Sequence, residues 1–167
     1  HKQEDEFYLC IQNKREGNEL MFYHQGGIDV GDVDSKAERV TINLQDELKD
    51  EVLEKLMKNV EAKEKREALI FFVSQLYKVY KELFFSYLEI NPLIYVGGKI
   101  LPLDLAAKLD ETAEMNIEVA HKWEDEHGKP IQFPRPFGSC IKSKAEEHIE
   151  KMDSKTGASL KLTILNP

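Results

Sequence analysis

The sequence predicts an α+β fold, or mixed α/β, with a mostly antiparallel sheet packed against helices. One reason is that β-rich runs occur in pairs joined by short turns containing Gly, as in hairpins. Another is that the middle of the chain carries apolar residues at three- and four-residue spacing, as in amphipathic helices. With 167 residues, of which 41% are apolar, we expect a single domain over residues 1–167 with a packed core.

The first part of the chain predicts three strands. Phe7 to Ile11 and Glu19 to His24 are rich in aromatic and aliphatic residues, and the turn-like segment Arg15 to Asn18 separates them. We therefore expect a hairpin. Gln25 to Ser35 is rich in Gly and Asp and predicts a loop or an irregular strand, whereas Glu38 to Leu44 predicts a short strand.

Two amphipathic helices are predicted next. Gln45 to Val60 carries acidic residues in its first turns, where the helix dipole favours them. Lys63 to Phe85 is the second helix. Its predicted buried stripe consists of Leu69, Phe72, Val73, Leu76, Tyr80, Leu83 and Phe84. We interpret this stripe as core rather than as a cofactor site.

A second hairpin is predicted around Gly97-Gly98, because both glycines tolerate the positive φ that a two-residue turn requires. Its strands are Ser86 to Val96 and Lys99 to Ala107. Counting back from the turn, Asn91 faces Asp104 across the two strands. Directly opposed Cβ atoms lie roughly 4.5–5.5 Å apart, so these two side chains are expected to be neighbours.

This register predicts a cluster of oxygen-bearing side chains on one strand face. Glu89 shares the face of Asn91 because side chains alternate along a strand, and Asp104 lies opposite. Such oxygens suit Mg²⁺. However, Pro92 has no N–H for the ladder, so pairing would break or bulge there, and a one-residue slip would turn Asp104 to the other face. The alternative is that the strand ends at Asn91-Pro92 and that both carboxylates are solvated edge charges.

The last part of the chain predicts further short elements. Glu111 to Trp123 and Lys144 to Met152 predict helices, and Leu160 to Leu165 predicts a final strand. Gly128 to Gly138 contains three prolines and is expected to be irregular.

Composition excludes several classes of partner. The formal net charge is −8 and no basic stripe is present, so nucleic acid is not expected as a partner, and an anionic membrane surface is disfavoured. No apolar run reaches the length of about 18 residues that a membrane helix needs, and the charged start is not a signal peptide. Cys10 and Cys140 are isolated from each other, which predicts neither a zinc site nor a disulfide and favours a cytoplasmic setting, in the cytosol.

The motif Leu-Glu-Ile-Asn-Pro-Leu at residues 88–93 resembles the signature of the ATP-grasp lobe shared by the succinyl-CoA synthetase and ATP-citrate lyase families. The resemblance to the ATP-citrate lyase family is greater and covers almost the whole chain, least between Ala113 and Lys129. The segments that carry it are Glu6–Tyr8, Arg15–Gly17, Gly26–Asp34, Tyr87–Leu93, Leu103–Lys108, Pro136–Gly138 and Gly157–Pro167. The resemblance implies the C-terminal lobe of an ATP-grasp fold.

The same resemblance implies roles for particular residues. Asn91 and Asp104 match positions that hold Mg²⁺ on the nucleotide phosphates. Glu89 resembles a glutamate that receives and orients a phospho-accepting histidine. Glu6 resembles a carboxylate that binds the nucleotide ribose.

A second magnesium site is also implied, in the loop of residues 153–158. Its expected ligands are the Asp153 carboxylate, the Thr156 hydroxyl and the Ala158 carbonyl. The two sites compete as interpretations, and we favour Asn91 with Asp104 for the catalytic ion.

The implied function is that of one lobe of a larger enzyme that uses ATP (with ADP as product) and Mg²⁺. The intact enzyme would convert citrate and CoA to acetyl-CoA and oxaloacetate through a phosphohistidine and citryl phosphate. Citrate and CoA are expected to bind through domains or a subunit outside this chain, and the intact enzyme is expected to be a homo-oligomer. The chain lacks an initiator Met and the Gly-rich histidine loop, so we expect a fragment that is inactive alone.

Two other functions remain open at this stage. One is the corresponding lobe of a succinyl-CoA synthetase-type ligase, which the runs at Gly26–Asp34 and Ser159–Thr163 disfavour. The other is a non-catalytic interaction module that keeps the ATP-grasp scaffold. The retained Glu89, Asn91 and Asp104 disfavour that interpretation, because an unused site has no physical need of clustered carboxylates.

Overall fold

A computed structural model gives the architecture of the chain. It describes residues 2–27, 33–110, 112–113, 121–129, 131, 144–145, 148–149 and 151–152. The chain divides into two compact units, His1–Trp123 and Glu124–Pro167. The first unit contains the sheet and its helices and is described below. The single domain expected over residues 1–167 stays a prediction.

The first unit is built on one antiparallel sheet, which confirms the predicted α+β class. The strands in chain order are β1 (Glu6–Lys14), β2 (Gly17–Tyr23), β3 (Glu38–Ile42), β4 (Phe85–Val96), β5 (Lys99–Pro102) and β6 (Leu105–Leu109). Their spatial order is β3-β2-β1-β4, and β5 and β6 both pair with β4 at its other edge. The predicted first hairpin, β1 with β2, is confirmed.

The two faces of the sheet carry different clusters. On β1, Phe7, Leu9 and Ile11 belong to the main core, whereas Tyr8 and Cys10 point to the opposite face. The helices α2 (Asp50–Leu56) and α3 (Lys63–Glu82) cover the main core. The opposite face carries a small cluster formed by Tyr8, Cys10, Met21 and Val33. Val33 begins α1 (Val33–Lys36), a single turn where the sequence predicts a loop or irregular strand.

Helix α2 is much shorter than the predicted helix from Gln45 to Val60. The segment before it forms a turn in which the Asn43 side chain donates to Asp46 Oδ2 at 2.9 Å and the Asp46 N–H donates to the Asn43 carbonyl. Short polar side chains that bond locally compete with helical backbone bonds, which explains why the helix begins only at Asp50.

Helix α3 is anchored to the first hairpin by two tyrosines. The Asn18 side chain, which is buried, donates to the Tyr77 hydroxyl at 3.0 Å, and the Tyr80 hydroxyl donates to Asn13 Oδ1 at 2.7 Å. Burial raises the pKa of the Tyr80 hydroxyl, so it remains a donor. Tyr77 was absent from the predicted stripe, and the helix ends at Glu82, before the predicted end at Phe85. Phe84, expected in the stripe, is partly exposed.

The predicted register of the second hairpin is confirmed. Val96 pairs with Lys99, and the same count continues through β5 and along β6 as far as the pair of Tyr87 with Lys108; it shifts by one residue at the pair of Phe85 with Leu109. The expected single strand from Lys99 to Ala107 is instead two strands, separated by a bend at Leu103-Asp104. Pairing persists at the bend because the Asn91 N–H donates to the Asp104 carbonyl at 3.1 Å.

The predicted helices and strand after Leu109 lie largely outside the described residues. His121–Trp123 forms a 3-10 turn, and the described positions within residues 144–152 are helical. Residues 160–165 lie outside the described part of the chain. Within the described residues, no helix is both long enough and apolar enough to cross a membrane.

Gly26 lies against the backbone of β1 and leaves no room for a side chain. A Cβ at Gly26 would lie 2.5 Å from the Phe7 carbonyl oxygen, a steric overlap that backbone atoms cannot relieve cheaply. We expect Gly26→Ala to lower the free energy of unfolding by about 2–3 kcal/mol, as overpacking does. Urea denaturation measures this.

Gly97→Ala is the matched control. Gly97 has a φ of +57° but no neighbour within 4 Å. Its substitution therefore costs only the left-handed backbone term, about 1 kcal/mol. Equal losses in the two variants would contradict the close approach at Gly26.

An ion pair at the start of the sheet makes stability depend on pH. Lys65 Nζ lies 2.5 Å from Asp5 Oδ1, and this hydrogen bond, together with the charge of Lys65, lowers the pKa of Asp5 below 3.8. Because the folded-state pKa is depressed, the stabilisation is complete above the unfolded value and is lost as pH falls through the folded value. The pair is partly exposed, so Asp5→Asn should cost about 0.5–1 kcal/mol at pH 6, and the cost should shrink as the pH falls below the unfolded-state pKa of the carboxyl group.

Urea denaturation at pH 6 and at an acidic pH below that unfolded-state pKa tests this. Glu67→Gln is the control, because Glu67 pairs with Lys63 at a largely exposed position and the substitution is expected to change stability little at either pH. A cost of Asp5→Asn that persists in acid would show that packing, not charge, is responsible.

Candidate functional site

A bulge in β4 lies beside a group of polar side chains on the face opposite the helices. Phe7 pairs with Leu93 and Leu9 pairs with Ile90, so Asn91 and Pro92 together oppose one residue of β1. The inward-facing residues of β4 accordingly change from Leu88 and Ile90 to Leu93 across the bulge. Bulges re-aim side chains and are common beside functional sites. The Asn91-Pro92 peptide bond at this point is cis.

Asn91 is held from two directions. Its Oδ1 accepts a hydrogen bond from the Gly27 N–H at 2.8 Å, and its own N–H donates to the Asp104 carbonyl. The Pro92 carbonyl accepts from the Leu103 N–H at 3.1 Å. This pairing uses the N–H of Asn91 and the carbonyl of Pro92, so it does not need the N–H that proline lacks. An amide oxygen has two lone pairs, so Asn91 retains one for a ligand.

Asp104 lies at the bend between β5 and β6, opposite Asn91. Its side chain is exposed. Among the described residues, none forms a hydrogen bond or ion pair with its carboxylate. An unpaired carboxylate on the residue that opposes Asn91 is chemically suited to a hard cation.

Glu89 lies on the same outward face, but its carboxylate is already hydrogen-bonded. It pairs across the sheet with Cys10, a member of the outward cluster. The Tyr87 hydroxyl donates to Glu89 Oε2. Burial, and then the bond to Glu89, raise the pKa of Tyr87, so its hydroxyl stays protonated and continues to donate. The Lys108 Nζ lies 5.7 Å from the centre of the Tyr87 ring.

Glu6 begins β1 and approaches the same loop that contacts Asn91. A Cβ built on Gly27 would overlap Glu6 Oε2, and Gly27 has a φ of +90°. Gly27 therefore contacts both Glu6 and Asn91. The structure thus brings together four of the predicted site residues, namely Glu6, Glu89, Asn91 and Asp104, on or beside one face.

The other predicted magnesium ligands, Asp153, Thr156 and Ala158, lie outside the described residues. The site they would form stays a prediction. Sequence reasoning did not assign a role to Tyr87 or Gly27. Tyr87 is two positions from Glu89 in a strand, so alternation could have identified it. The contact between Gly27 and Asn91 spans a long sequence separation, and no local pattern signals it.

The donor set fits Mg²⁺ at Asn91 and Asp104. Magnesium takes one or two carboxylates from protein and completes its shell with water and phosphate oxygens. Within the described residues no group of three or more His, Cys, Asp or Glu side chains converges as a metal cage. One amide oxygen and one exposed carboxylate are consistent with a shared protein–phosphate ion, and not with a metal enclosed by protein.

A groove of about 580 Å³ lies elsewhere, beside the segment that joins α2 to α3. It is lined by Glu4, Phe7, His24, Gln25, Asn59, Val60, Glu61, Ala62 and Lys65. None of the predicted site residues lines it. The predicted site residues lie on the other face of the sheet, where Asp104 is exposed and Glu89 and Asn91 are half-buried, whereas the neighbouring Tyr8 and Cys10 are buried.

Comparison with known proteins identifies relatives across the whole chain. Residues 1–123 match the family described as ATP-citrate synthase ATP-grasp domain. The chain is 45% identical to ATP-citrate synthase of Bos taurus over 167 residues, which is 100% of this chain and 15% of the relative. It is 44% identical to the Homo sapiens protein, and 37% identical to an ATP-citrate synthase alpha chain of Arabidopsis thaliana, of which it covers 36%.

Solved structures show the same relationship. The ATP citrate lyase from Methanothrix soehngenii, determined in complex with citrate and coenzyme A, has a TM-score of 0.65 and 35% identity, covering 99% of this chain and 37% of that one. A dinucleotide-forming acetyl-coenzyme A synthetase from Ca. Korarchaeum cryptofilum, in complex with coenzyme A and Mg-AMPPCP, has a TM-score of 0.51 at 17% identity, covering 66% of this chain and 55% of that one, and shows only the fold.

These relatives are considerably longer than the chain, which spans about 15% of the length of the animal proteins. Their names are those of enzymes, and the resemblance to the ATP-citrate lyase family is confirmed by identity over the full chain and by the shared fold. The chain belongs to the ATP-citrate synthase ATP-grasp domain family.

Proposed function

We propose that this chain forms one lobe of the nucleotide site of an ATP-citrate lyase, where it binds ATP with Mg²⁺ and assists phosphoryl transfer. The observation that carries the proposal is the opposition of Asn91 and Asp104 on the sheet face opposite the helices, with Gly27 joining Asn91 to Glu6. Family membership supports an ATP-grasp role for these residues.

The intact protein, in this proposal, converts citrate and CoA to acetyl-CoA and oxaloacetate with ATP, through a phosphohistidine and citryl phosphate. The Methanothrix soehngenii relative was determined with citrate and coenzyme A, which supports these substrates. Because the chain spans a small share of its relatives, citrate and CoA would bind through other domains or a partner subunit. A cytosolic homo-oligomer is part of the same proposal.

Asn91 and Asp104 would hold the ion that accompanies the nucleotide. When bound, Mg²⁺ neutralises charge on the phosphates, which is most of what a protein needs to supply in phosphoryl transfer. Asp104 contributes the charged ligand and Asn91 the neutral one through its remaining lone pair. An alternative ion site at Asp153, Thr156 and Ala158 belongs to the proposal as a second location.

Glu6 would bind the ribose of the nucleotide. A carboxylate accepts hydrogen bonds from two adjacent hydroxyls, and such charge-assisted bonds are roughly twice as strong as neutral ones. Glu6 approaches Gly27 and Gly27 contacts Asn91, so the ribose and phosphate ends of a nucleotide would meet connected parts of one lobe.

Glu89 would receive the imidazole of the histidine that accepts the phosphoryl group. A carboxylate beside an imidazole N–H fixes the orientation of the ring and stabilises the positive charge that it gains during attack. Glu89 is half-buried, between the buried Cys10 on one strand and the exposed Ala106 on the other, so its carboxylate remains partly accessible to solvent.

Magnesium-dependent ATP binding tests the ion site. In the full-length protein that carries this chain, we expect Asp104→Asn and Asn91→Ala each to raise the Kd for ATP about tenfold or more in Mg²⁺, and to change it little in EDTA. Isothermal titration calorimetry in the two buffers measures this. Asp46→Asn, which removes an exposed carboxylate bonded to Asn43, is the control.

If both variants bind as the parent does, the ion site is elsewhere and the loop at residues 153–158 becomes the candidate. If the parent itself binds no nucleotide, the non-catalytic interaction module replaces the enzyme as the proposed function.

The proposed ribose contact predicts a loss of ATP affinity that does not depend on Mg²⁺. We expect Glu6→Gln to weaken ATP binding about tenfold in Mg²⁺ and in EDTA alike, because the ribose bond does not involve the ion. The same titrations measure it. A loss confined to the Mg²⁺ buffer would place Glu6 at the phosphates instead of the ribose.

A further inference from the structure

We propose that Tyr87 is a positioning residue of this site, whose hydroxyl holds one oxygen of the Glu89 carboxylate so that the other oxygen is presented to an imidazole N–H arriving at the face of the sheet opposite the helices. The inference rests on the proposed function, in which Glu89 receives a phospho-accepting histidine. It adds a residue to which neither the sequence motifs nor the family resemblance gives a role.

Few neighbouring side chains can form a hydrogen bond with the Glu89 carboxylate. Tyr87 and Glu89 lie two positions apart on β4 and therefore on the same face, and the Tyr87 hydroxyl donates to Oε2. The cross-strand neighbours of Glu89 are Cys10 on β1 and Ala106 on β6. Both side chains are short. Within the described part of the chain, Tyr87 is the one side chain that hydrogen-bonds to the Glu89 carboxylate.

Tyr87 is itself fixed in place. Its ring packs against the cluster that contains Tyr8 and Cys10, and its hydroxyl also contacts the Cys10 thiol. The Lys108 ammonium lies over the ring from the neighbouring strand. A partly buried ring with only two rotatable bonds loses little entropy on being held, so its hydroxyl is a well-positioned donor.

The two oxygens of the Glu89 carboxylate would bind different partners, the Tyr87 hydroxyl and the imidazole of the histidine. A carboxylate has two oxygens that accept independently. Oε2 is bound by Tyr87, and Oε1 has no hydrogen-bond partner among the described residues. A donor fixed at Oε2 sets the plane of the carboxylate and hence the direction in which Oε1 points.

The chemical step shows why that direction matters. One imidazole nitrogen attacks the γ-phosphorus of ATP, an N–P bond forms, and the P–O bond to the leaving ADP breaks with its electron pair on ADP. The ring gains positive charge, and its second nitrogen carries the N–H that Oε1 accepts. A misdirected carboxylate would leave the ring free to rotate and would slow attack without altering nucleotide binding.

The test uses the full-length protein that carries this chain and compares Tyr87→Phe with Tyr95→Phe. Tyr87→Phe removes the donor but keeps the ring that packs on the cluster. Tyr95 lies on the same strand, and its hydroxyl bonds Glu64 away from the site, so its variant makes the same chemical change elsewhere. The readouts are the rate of ATP-dependent histidine phosphorylation, the Kd for Mg-ATP and the melting temperature.

We expect Tyr87→Phe to slow phosphorylation about tenfold with an unchanged Kd and melting temperature, and Tyr95→Phe to match the parent. A second variant shows whether the effect passes through Glu89. In a Glu89→Ala background, adding Tyr87→Phe should cause no further loss, because residues that act through one contact are not additive.

Other outcomes overturn the inference. Equal rates in Tyr87→Phe and the parent, a rate that falls only together with the melting temperature, or a full additional loss in the Glu89→Ala background would each exclude a positioning role. A parent that forms no phosphohistidine although it binds Mg-ATP overturns the proposed transfer, and this inference with it. A parent that phosphorylates normally while Tyr87→Phe does too removes only the role of Tyr87.

Discussion

The extra residue that β4 carries opposite β1 is the constraint on which the site depends. Because of it, Leu88 and Ile90 before the bulge and Leu93 after it all face the main core. Asn91, at the bulge, points away from the helices. β4 is hydrogen-bonded to β1 on one edge and to β5 and β6 on the other, so a register shift on one edge would disturb the pairing on the other. Along the edge shared with β5 and β6, the register holds across the bend and brings Asp104 to Asn91.

Electrostatics explains why a metal ion suits this surface. A chain with a formal net charge of −8 repels a polyanion, and Lys108, the cation closest to Glu89 in the register, is stacked on Tyr87. An ion held by Asp104 would bring positive charge to phosphates that the lobe itself cannot attract. Burial also raises the pKa of the Tyr80 and Tyr87 hydroxyls. Both hydroxyls therefore stay protonated and can donate hydrogen bonds to neighbouring oxygen atoms.

Turn residues and strand alternation in the sequence correctly predicted the contacts between residues that are close in sequence. The Gly97-Gly98 turn and strand alternation sufficed to oppose Asn91 and Asp104, because a two-residue turn leaves one register. The predicted start of α2 was wrong, since the bonds between Asn43 and Asp46 compete with a longer helix. The contacts of Tyr77 with Asn18 and of Gly27 with Asn91 join distant segments, and periodicity carries no information about them.

The Gly97-Gly98 turn stands in open space, where a chain usually tolerates insertions. Here its length sets which residues of β5 and β6 lie beside β4. One added residue would slide Asp104 past Asn91 and reverse the faces of both strands, and Ile100, which packs against the main core, would turn away from it. The length of this loop is therefore constrained both by the chemistry of a distant face and by the packing of β5 on the core.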